Sequence, residues 1–337
     1  MQKNIVILGG GPAGMVAASH LQKRGYNTFL IEKSNQLGGH LAQWDRLFPE
    51  GIPAHGVLEE MKAALGSTKV FLNTEIRSVN RLKDHVNIFL QNGISVLADA
   101  LLITTGFDLF PAQKKEEYGY GIYNQVITNA ELEERFRLGA EGFPTAPQSV
   151  GFVHCVGSRD VKAGNLQCSK VCCATAVKQA SEVKAMFPDA NVYCFYMDLR
   201  MFGRQYEDLY LNAQKEHGVQ FIRGRVSEVS ENINGQVIIK AEDTLSGKPI
   251  KVTLDLLVLM CGMSPSQDTH QMAHMLSLPL GEDGFYRSKE LFMNNHRAVQ
   301  EGIFYAGACL GPKTLPETIA EARAAALAIE EYLEKED

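Results

Sequence analysis

Residues 4–33 read NIVILGGGPAGMVAASHLQKRGYNTFLIEK. An apolar run, Asn4 to Leu8, leads into Gly9-Gly10-Gly11-Pro12-Ala13-Gly14. A helical stretch follows, with Met15, Ala18 and Leu21 on one face. A second apolar run, Thr28 to Ile31, ends at Glu32. This is G-x-G-x-x-G set between a strand and a helix, followed by an acid at the end of the next strand. Each residue type has a physical task. Gly9 makes the tight turn, Gly11 lets the backbone approach a pyrophosphate, and Gly14 lets helix and strand pack closely. The helix start offers free N–H groups and the positive end of its dipole to phosphates. Glu32 can accept hydrogen bonds from a ribose hydroxyl pair. Gly9, Gly11, Pro12, Ala13, Gly14, Glu32 and the adjoining Lys33 are therefore the candidate cofactor-binding residues. A glycine turn that holds no ligand is the competing explanation.

The position of this loop at the extreme N-terminus, and the Gly38-Gly39 pair that follows, favour FAD over NAD. Here the chain resembles the flavoproteins with two dinucleotide-binding domains, such as thioredoxin reductase. Ala100 to Gly106 and Asp255 to Gly262 both read as a buried strand ending in a small-residue turn. In those flavoproteins such strands carry the chain out of the flavin domain and back into it. Gly302-Ile-Phe-Tyr-Ala-Gly307 is similar to their flavin-side strand. The family usually places an aspartate after that glycine, on the ribityl chain. This sequence has Ala308, so that contact must be made otherwise. Leu315 to Glu334 reads as a helix, with Pro316 near its start and Ile319, Ala322, Ala326 and Ile329 on one face. The resemblance implies that its N-terminus points at the flavin ring, where the dipole would stabilise negative charge. Gly39, Gly106, Gly307 and Thr318 join the candidate FAD contacts on this basis. The expected fold class is α/β, with two Rossmann-like domains of the thioredoxin reductase type. Residues 1–110 and 254–337 would form the FAD-binding domain, and 111–253 an inserted domain.

Composition agrees with that size. A chain of 337 residues accommodates about two domains. At 45% hydrophobic and 21% charged residues it can bury a full core. The net charge of -6, without a basic block, argues against a nucleic-acid partner. A strand that starts at Asn4 leaves no room for a signal peptide, and no apolar run reaches the ~18 residues of a membrane span. The expectation is a soluble, cytoplasmic protein. In a reducing compartment, clustered cysteines more often bind metal or do redox chemistry than form structural disulfides.

Such a cluster stands in the middle of the chain. Thr128-Asn-Ala-Glu131 can form a capping box on a short helix. A strand, Ser149 to His154, then leads to CVGSRDVKAGNLQCSKVCC at 155–173, where a second glycine fingerprint would stand in a thioredoxin reductase. Only Gly157 falls where three such glycines belong, so NADPH is not expected there in the usual way. Cys168 to Met186 reads as a helix, which puts Cys168 and Cys172 on one face and Cys173 about 100° further round. A regular helix cannot aim all three at one tight centre, so its first turn should be distorted or the centre broad. Four thiolates suit an iron–sulfur cluster. Zinc is a rival, although only one loose pair exists where zinc knuckles need two. Redox-active thiols are a second rival, although C-x-x-C occurs nowhere in the sequence. Inert buried cysteines are a third. Beyond this segment, Asn191 to Tyr196, Gln205 to His217 and Val219 to Ile222 read as strand, helix and strand. Asn234-Gly235 reads as a hairpin turn.

The segments 153–160 and 168–180 resemble the A-type subunit of heterodisulfide reductase. So do Tyr118-Gly-Tyr-Gly121, Tyr206 to Tyr210, Phe221 to Arg225 and Ala306 to Lys313. The match runs along nearly the whole chain, and its cysteine motif is more specific than the glycine loop. The resemblance implies FAD and a [4Fe–4S] cluster held by Cys155, Cys168, Cys172 and Cys173. It implies B- and C-type partner subunits, a homodimer, and NAD or a protein as electron donor. It also implies Lys178 as a catalytic residue near the flavin, against the competing explanation of a lysine on the helix surface. The ferredoxin-like C-x2-C-x2-C-x3-C-P runs of methanogen members are missing from the sequence. In this the chain resembles the short A-type subunit of the heterodisulfide-reductase-like complex of sulfur oxidisers. It would transfer electrons in thiol, disulfide or sulfur metabolism. A stand-alone NAD(P)H-dependent disulfide reductase using these cysteines is the alternative. His270 and His274, four apart, read as ordinary surface histidines. Cys194, Cys261 and Cys309 read as core.

Overall fold

A computed structural model describes residues 2–82 and 85–335. The chain divides into two compact units. The first comprises residues 1–42, 54–108 and 264–337, and the second 43–53 and 109–263. The expected boundaries at 110/111 and 253/254 differ from these in two respects. The segment 43–53 belongs to the second unit, and so does the strand Leu256–Cys261.

The first unit is built on five parallel strands. Their order is Ile303–Tyr305, Ala100–Ile103, Asn4–Leu8, Asn27–Ile31, Lys69–Phe71. A parallel sheet covered on both faces calls for continuous apolar strands rather than alternating ones. Ile5, Val6, Ile7 and Leu101 to Ile103 are accordingly fully buried. Helices Pro12–Lys23 and Leu315–Glu334 pack on one another. Small buried residues, Ala17 and Ala18 on one helix and Ala322, Ala325 and Ala326 on the other, permit that approach. The final helix has the bounds expected from the sequence. Its start carries an additional capping box, in which Thr314 Oγ1 accepts from Glu317 N and the Glu317 carboxylate from Thr314 N. A three-stranded antiparallel sheet, Ile76–Arg81, Val86–Leu90 and Ser95–Ala98, buries Ile76, Ile88 and Val96.

The second unit repeats the parallel plan. Its order is Val126–Thr128, Leu256–Cys261, Ser149–Val156, Asn191–Tyr196, Gln220–Arg223. The expected capping box opens helix Asn129–Leu138, with Thr128 and Glu131 in reciprocal hydrogen bonds. Strands Val226–Glu231, Val237–Asp243 and Lys248–Leu254 form an antiparallel sheet, and the first two are joined by a turn with Gly235 at φ +77°. The second helix begins later than expected, at Cys172 rather than Cys168. Lys170 stands in the left-handed region at φ +61°, and Val171 N donates to Ser169 O at 2.6 Å, so the chain turns tightly before it can coil.

Candidate functional site

In the first unit the glycine loop is shaped by its neighbours. At Gly9 (φ +112°) a Cβ would meet Thr104 O at 2.4 Å, and at Gly14 it would meet Gly9 O at 2.0 Å. Gly11 differs: a Cβ there would have no protein atom within 4 Å. The protein therefore demands glycine at positions 9 and 14 for its own packing. At position 11 it leaves an open backbone face. Behind that face stands the start of helix Pro12–Lys23. No side chain caps it, and Pro12 occupies a position where a missing N–H costs nothing.

Glu32, 8% exposed, holds this loop in place. Its Oε2 accepts from Gly10 N at 2.6 Å and its Oε1 from Ser34 N at 2.8 Å. The carboxylate thus has a scaffold task besides the expected ribose contact. Lys33 forms an ion pair with Asp268. Gly38 N donates to Gly10 O, and Gly39 (φ +53°) lies against Gly11. Gly106 (φ +68°) precedes Phe107, whose carbonyl bonds His40 Nε2 at 2.9 Å and whose ring stacks on His40. At Gly307 (φ +80°) a Cβ would meet Ala13 Cβ at 2.9 Å and Thr318 Cγ2 at 3.2 Å. Gly307, Ala13 and Thr318, distant in sequence, therefore meet at the loop.

Two residues here escape a reading of the sequence. Thr104 Oγ1 donates to Leu8 O and Gly9 O, both at 2.9 Å. Glu321 accepts from Gly307 N at 3.0 Å and pairs with Lys313 at 3.2 Å. It brings a carboxylate to the turn where the expected aspartate is replaced by Ala308. Removing the charge at position 32 tests the scaffold role. Glu32→Gln is expected to destabilise the cofactor-free protein by about 1–3 kcal/mol, read as a lower urea midpoint. An unchanged midpoint would mean that Glu32 does not hold the loop.

In the second unit, strand Ser149–Val156 loses its regular register between Val153 and Val156, and Cys155 sits at φ +60°. This bulge places Cys155 Sγ 3.8 Å from Cys172 Sγ, at the first residue of the helix. Cys173 Sγ lies 3.6 Å from Asp198 O. These three cysteines are buried in one apolar cluster. Cys168 is half-buried on the turn before the helix, where its Sγ accepts from Lys170 N at 3.3 Å. The expected i, i+4 pairing of Cys168 and Cys172 on a helix face is therefore replaced by a turn.

The thiols are electrostatically unequal. The Cys172 thiol beside it holds Cys155 down to about 7. The same thiol, with His154, brings Cys173 down to about 4 against its burial, while Cys172 itself is pushed well up. Against its complete burial, His154 is raised to about 10 by Cys173 and Cys194. Arg159 pairs with Asp198 at 2.7 Å, and its charge helps to lower Cys155. Among the described residues, no group of three or more His, Cys, Asp or Glu stands close enough to hold a metal ion. The donor chemistry of four thiols nevertheless fits an iron–sulfur cluster.

Lys178 is 5% exposed and not a surface lysine. Its Nζ lies 2.6 Å from Glu133 Oε1 and 3.1 Å from Glu182 Oε2. Gln179 Nε2 and Asp45 N also donate to Glu133. Two carboxylates thus share one lysine. Burial raises Glu182 to about 7 in spite of Lys178, with Glu133 adding to the rise. Because its folded-state value lies above its ordinary 4.5, Glu182 binds its proton more tightly in the folded protein. Stability from this group is complete below about pH 4.5 and is lost as pH rises through about 7. Its full size is up to about 3 kcal/mol. Glu182→Gln is expected to flatten denaturation midpoints measured between about pH 5 and 8. Parallel parent and variant curves would contradict this assignment.

Residues 7–63 match the family model described as an NAD(P)-binding Rossmann-like domain. The A-type iron-sulfur subunit of the CoB–CoM heterodisulfide reductase of Methanocaldococcus jannaschii is 30% identical over 98% of this chain and 64% of its own length. Along nearly its whole length the chain is similar to that A-type subunit. A second such protein, from Methanopyrus kandleri, is 38% identical over 67% of this chain and 36% of its own. The chain spans about 64% of the first relative's length. That alignment runs to 420 positions against 337 residues, so segments of the relative fall in gaps here. The thioredoxin reductase of Lactococcus lactis has the same fold, with a TM-score of 0.71 at 17% identity, covering 99% of this chain and all of that one. The likeness to the heterodisulfide reductase protein rests on residues of both units, and the thioredoxin reductase fold accounts for both parallel sheets.

Proposed function

We propose that the chain is an oxidoreductase subunit that carries FAD and a [4Fe–4S] cluster and transfers electrons in a heterodisulfide-reductase-like complex. The sulfur chemistry, on thiols, disulfides or other sulfur compounds, would belong to B- and C-type partner subunits. A homodimeric core and an NAD or protein electron donor complete this reading. The observation that carries it is the glycine loop, whose face at Gly11 is open in front of an uncapped helix start. That is a phosphate-binding arrangement. Gly9, Pro12, Ala13 and Gly14 would hold the pyrophosphate with Gly11, and Glu32 the ribose, with Lys33 beside it. Gly39, Gly106, Gly307 and Thr318 would line the rest. Glu321 would keep the Gly307 turn in place. Cys155, Cys168, Cys172 and Cys173 would hold the cluster, and Lys178 would act at the flavin with Glu133 fixing its position. When bound, the flavin supplies two-electron chemistry and the cluster one-electron steps.

Among the described residues, no helix is long and apolar enough to cross a membrane. We place the protein in the cytoplasm. Anaerobic purification tests the cofactor assignment. It is expected to yield about four iron and four sulfide per chain, with about one FAD. Flavin without iron would sink the cluster. A second reading rests on the 3.8 Å between the Cys155 and Cys172 sulfurs, close enough for a redox pair in a stand-alone NAD(P)H-dependent disulfide reductase. Iron-free protein that oxidises NADPH with a disulfide substrate would favour it.

A further inference from the structure

The second unit holds a cavity of about 490 Å³, a size suited to small molecules. It opens at the N-terminal ends of strands Val126–Thr128, Ser149–Val156 and Leu256–Cys261. Cys155 is near the other end of the central strand, about 20 Å away at the rise of an extended chain. The cavity therefore lies apart from the thiols.

Its walls are fixed by hydrogen bonds. Asp255 Oδ2 accepts from Gln148 N and Ser149 N, at 2.9 and 3.0 Å, and its Oδ1 from Gln236 Nε2 at 2.9 Å. Asn232 Oδ1 accepts from Asn234 N and Gln236 N, which stiffens the hairpin at the rim. The acid of the cavity is thus committed to the wall. The cation is not. Arg135, half-buried on helix Asn129–Leu138, lines the cavity without an ion-pair partner among the described residues. A guanidinium held in a partly dry concavity favours a planar anion that accepts two of its N–H groups. Phe143, Pro147 and Leu256 supply an apolar wall beside it.

We propose that this cavity binds a small organic carboxylate, with the carboxylate on Arg135 and an apolar body against Phe143, Pro147 and Leu256. Nothing in the electron-transfer reading requires such a site, so the two stand or fall separately.

Isothermal titration of the full, cofactor-loaded chain tests the proposal with 3-phenylpropanoate as probe and 3-phenylpropan-1-ol as its uncharged counterpart. The carboxylate is expected to bind at least about tenfold more tightly than the alcohol. Arg135→Met should abolish that preference, and Arg135→Lys should retain part of it, since an ammonium keeps the charge but not the fork. Thermal melts of both variants show whether the fold is kept, and the lysine variant serves if the methionine variant melts early. Equal binding of alcohol and carboxylate, no binding of either at millimolar concentration, or an undiminished preference in a folded Arg135→Met protein would each overturn the proposal.

Discussion

Anaerobically purified Cys172→Ser protein is expected to keep less than about one tenth of the parent's iron, whereas Cys194→Ala keeps it. Cys172 is the first residue of its helix, and its sulfur lies 3.8 Å from that of Cys155 on the bulged strand. It is therefore the thiol that joins the two elements of the proposed site. A serine oxygen is a hard donor in place of a soft thiolate, and iron–sulfur clusters depend on the latter. Cys194 is the appropriate control. It is fully buried in the same apolar cluster and acts on the same histidine, His154, yet it sits in the middle of strand Asn191–Tyr196 and outside the proposed ligand set. Iron retained in Cys172→Ser and lost in Cys194→Ala would require a different set of ligands. Full iron in both would remove Cys172 from it.

The second large effect separates cofactor binding from folding at two glycines three residues apart. Gly14→Ala places a methyl group 2.0 Å from Gly9 O, a contact that only backbone movement can relieve. A loss of about 3 kcal/mol or more in the cofactor-free protein follows, and FAD binding falls with it. Gly11→Ala places its methyl group where no protein atom stands within 4 Å, at φ -75° and ψ -175°, which alanine adopts freely. The melting temperature of the cofactor-free variant should match the parent's. Its FAD affinity should fall by about two orders of magnitude, or ~2.7 kcal/mol, because the methyl group fills the open surface proposed for the pyrophosphate. Equal FAD affinity in Gly11→Ala and parent would mean that the open face serves some other purpose.

The features legible in the sequence are those set by short-range physics. The strand–glycine–helix unit at 4–33 is visible because its packing demands glycine at fixed places, as the close approaches at Gly9 and Gly14 demonstrate. The last helix can be bounded because Pro316 and its apolar spacing mark it locally, and the Thr128 cap because both partners lie within one turn. What stays hidden depends on distant partners. Strand Leu256–Cys261 pairs with Ser149–Val156 and Val126–Thr128, a choice between two sheets that an apolar run cannot announce. Residues 43–53 carry no pattern that assigns them to the second unit. Glu321 is one of several acids on its helix until Gly307 N is brought to it. The resemblance singles out Lys178, but its burial against Glu133, 45 residues earlier, is not visible in the sequence. The cysteine helix starts four residues later than its sequence suggests because Lys170 adopts a left-handed conformation that its side chain does not advertise.

In the proposed site Cys155, Cys168, Cys172 and Cys173 together hold one [4Fe–4S] cluster. Low-temperature EPR of the dithionite-reduced protein tests this ligand set, with Cys168→Ser measured beside the parent. Cys168 is the least buried of the four and stands on the turn before the helix. A rhombic signal of a reduced [4Fe–4S] cluster in the parent, lost in Cys168→Ser, is the predicted result. A parent without any iron–sulfur signal, or a signal unchanged by Cys168→Ser, would contradict it.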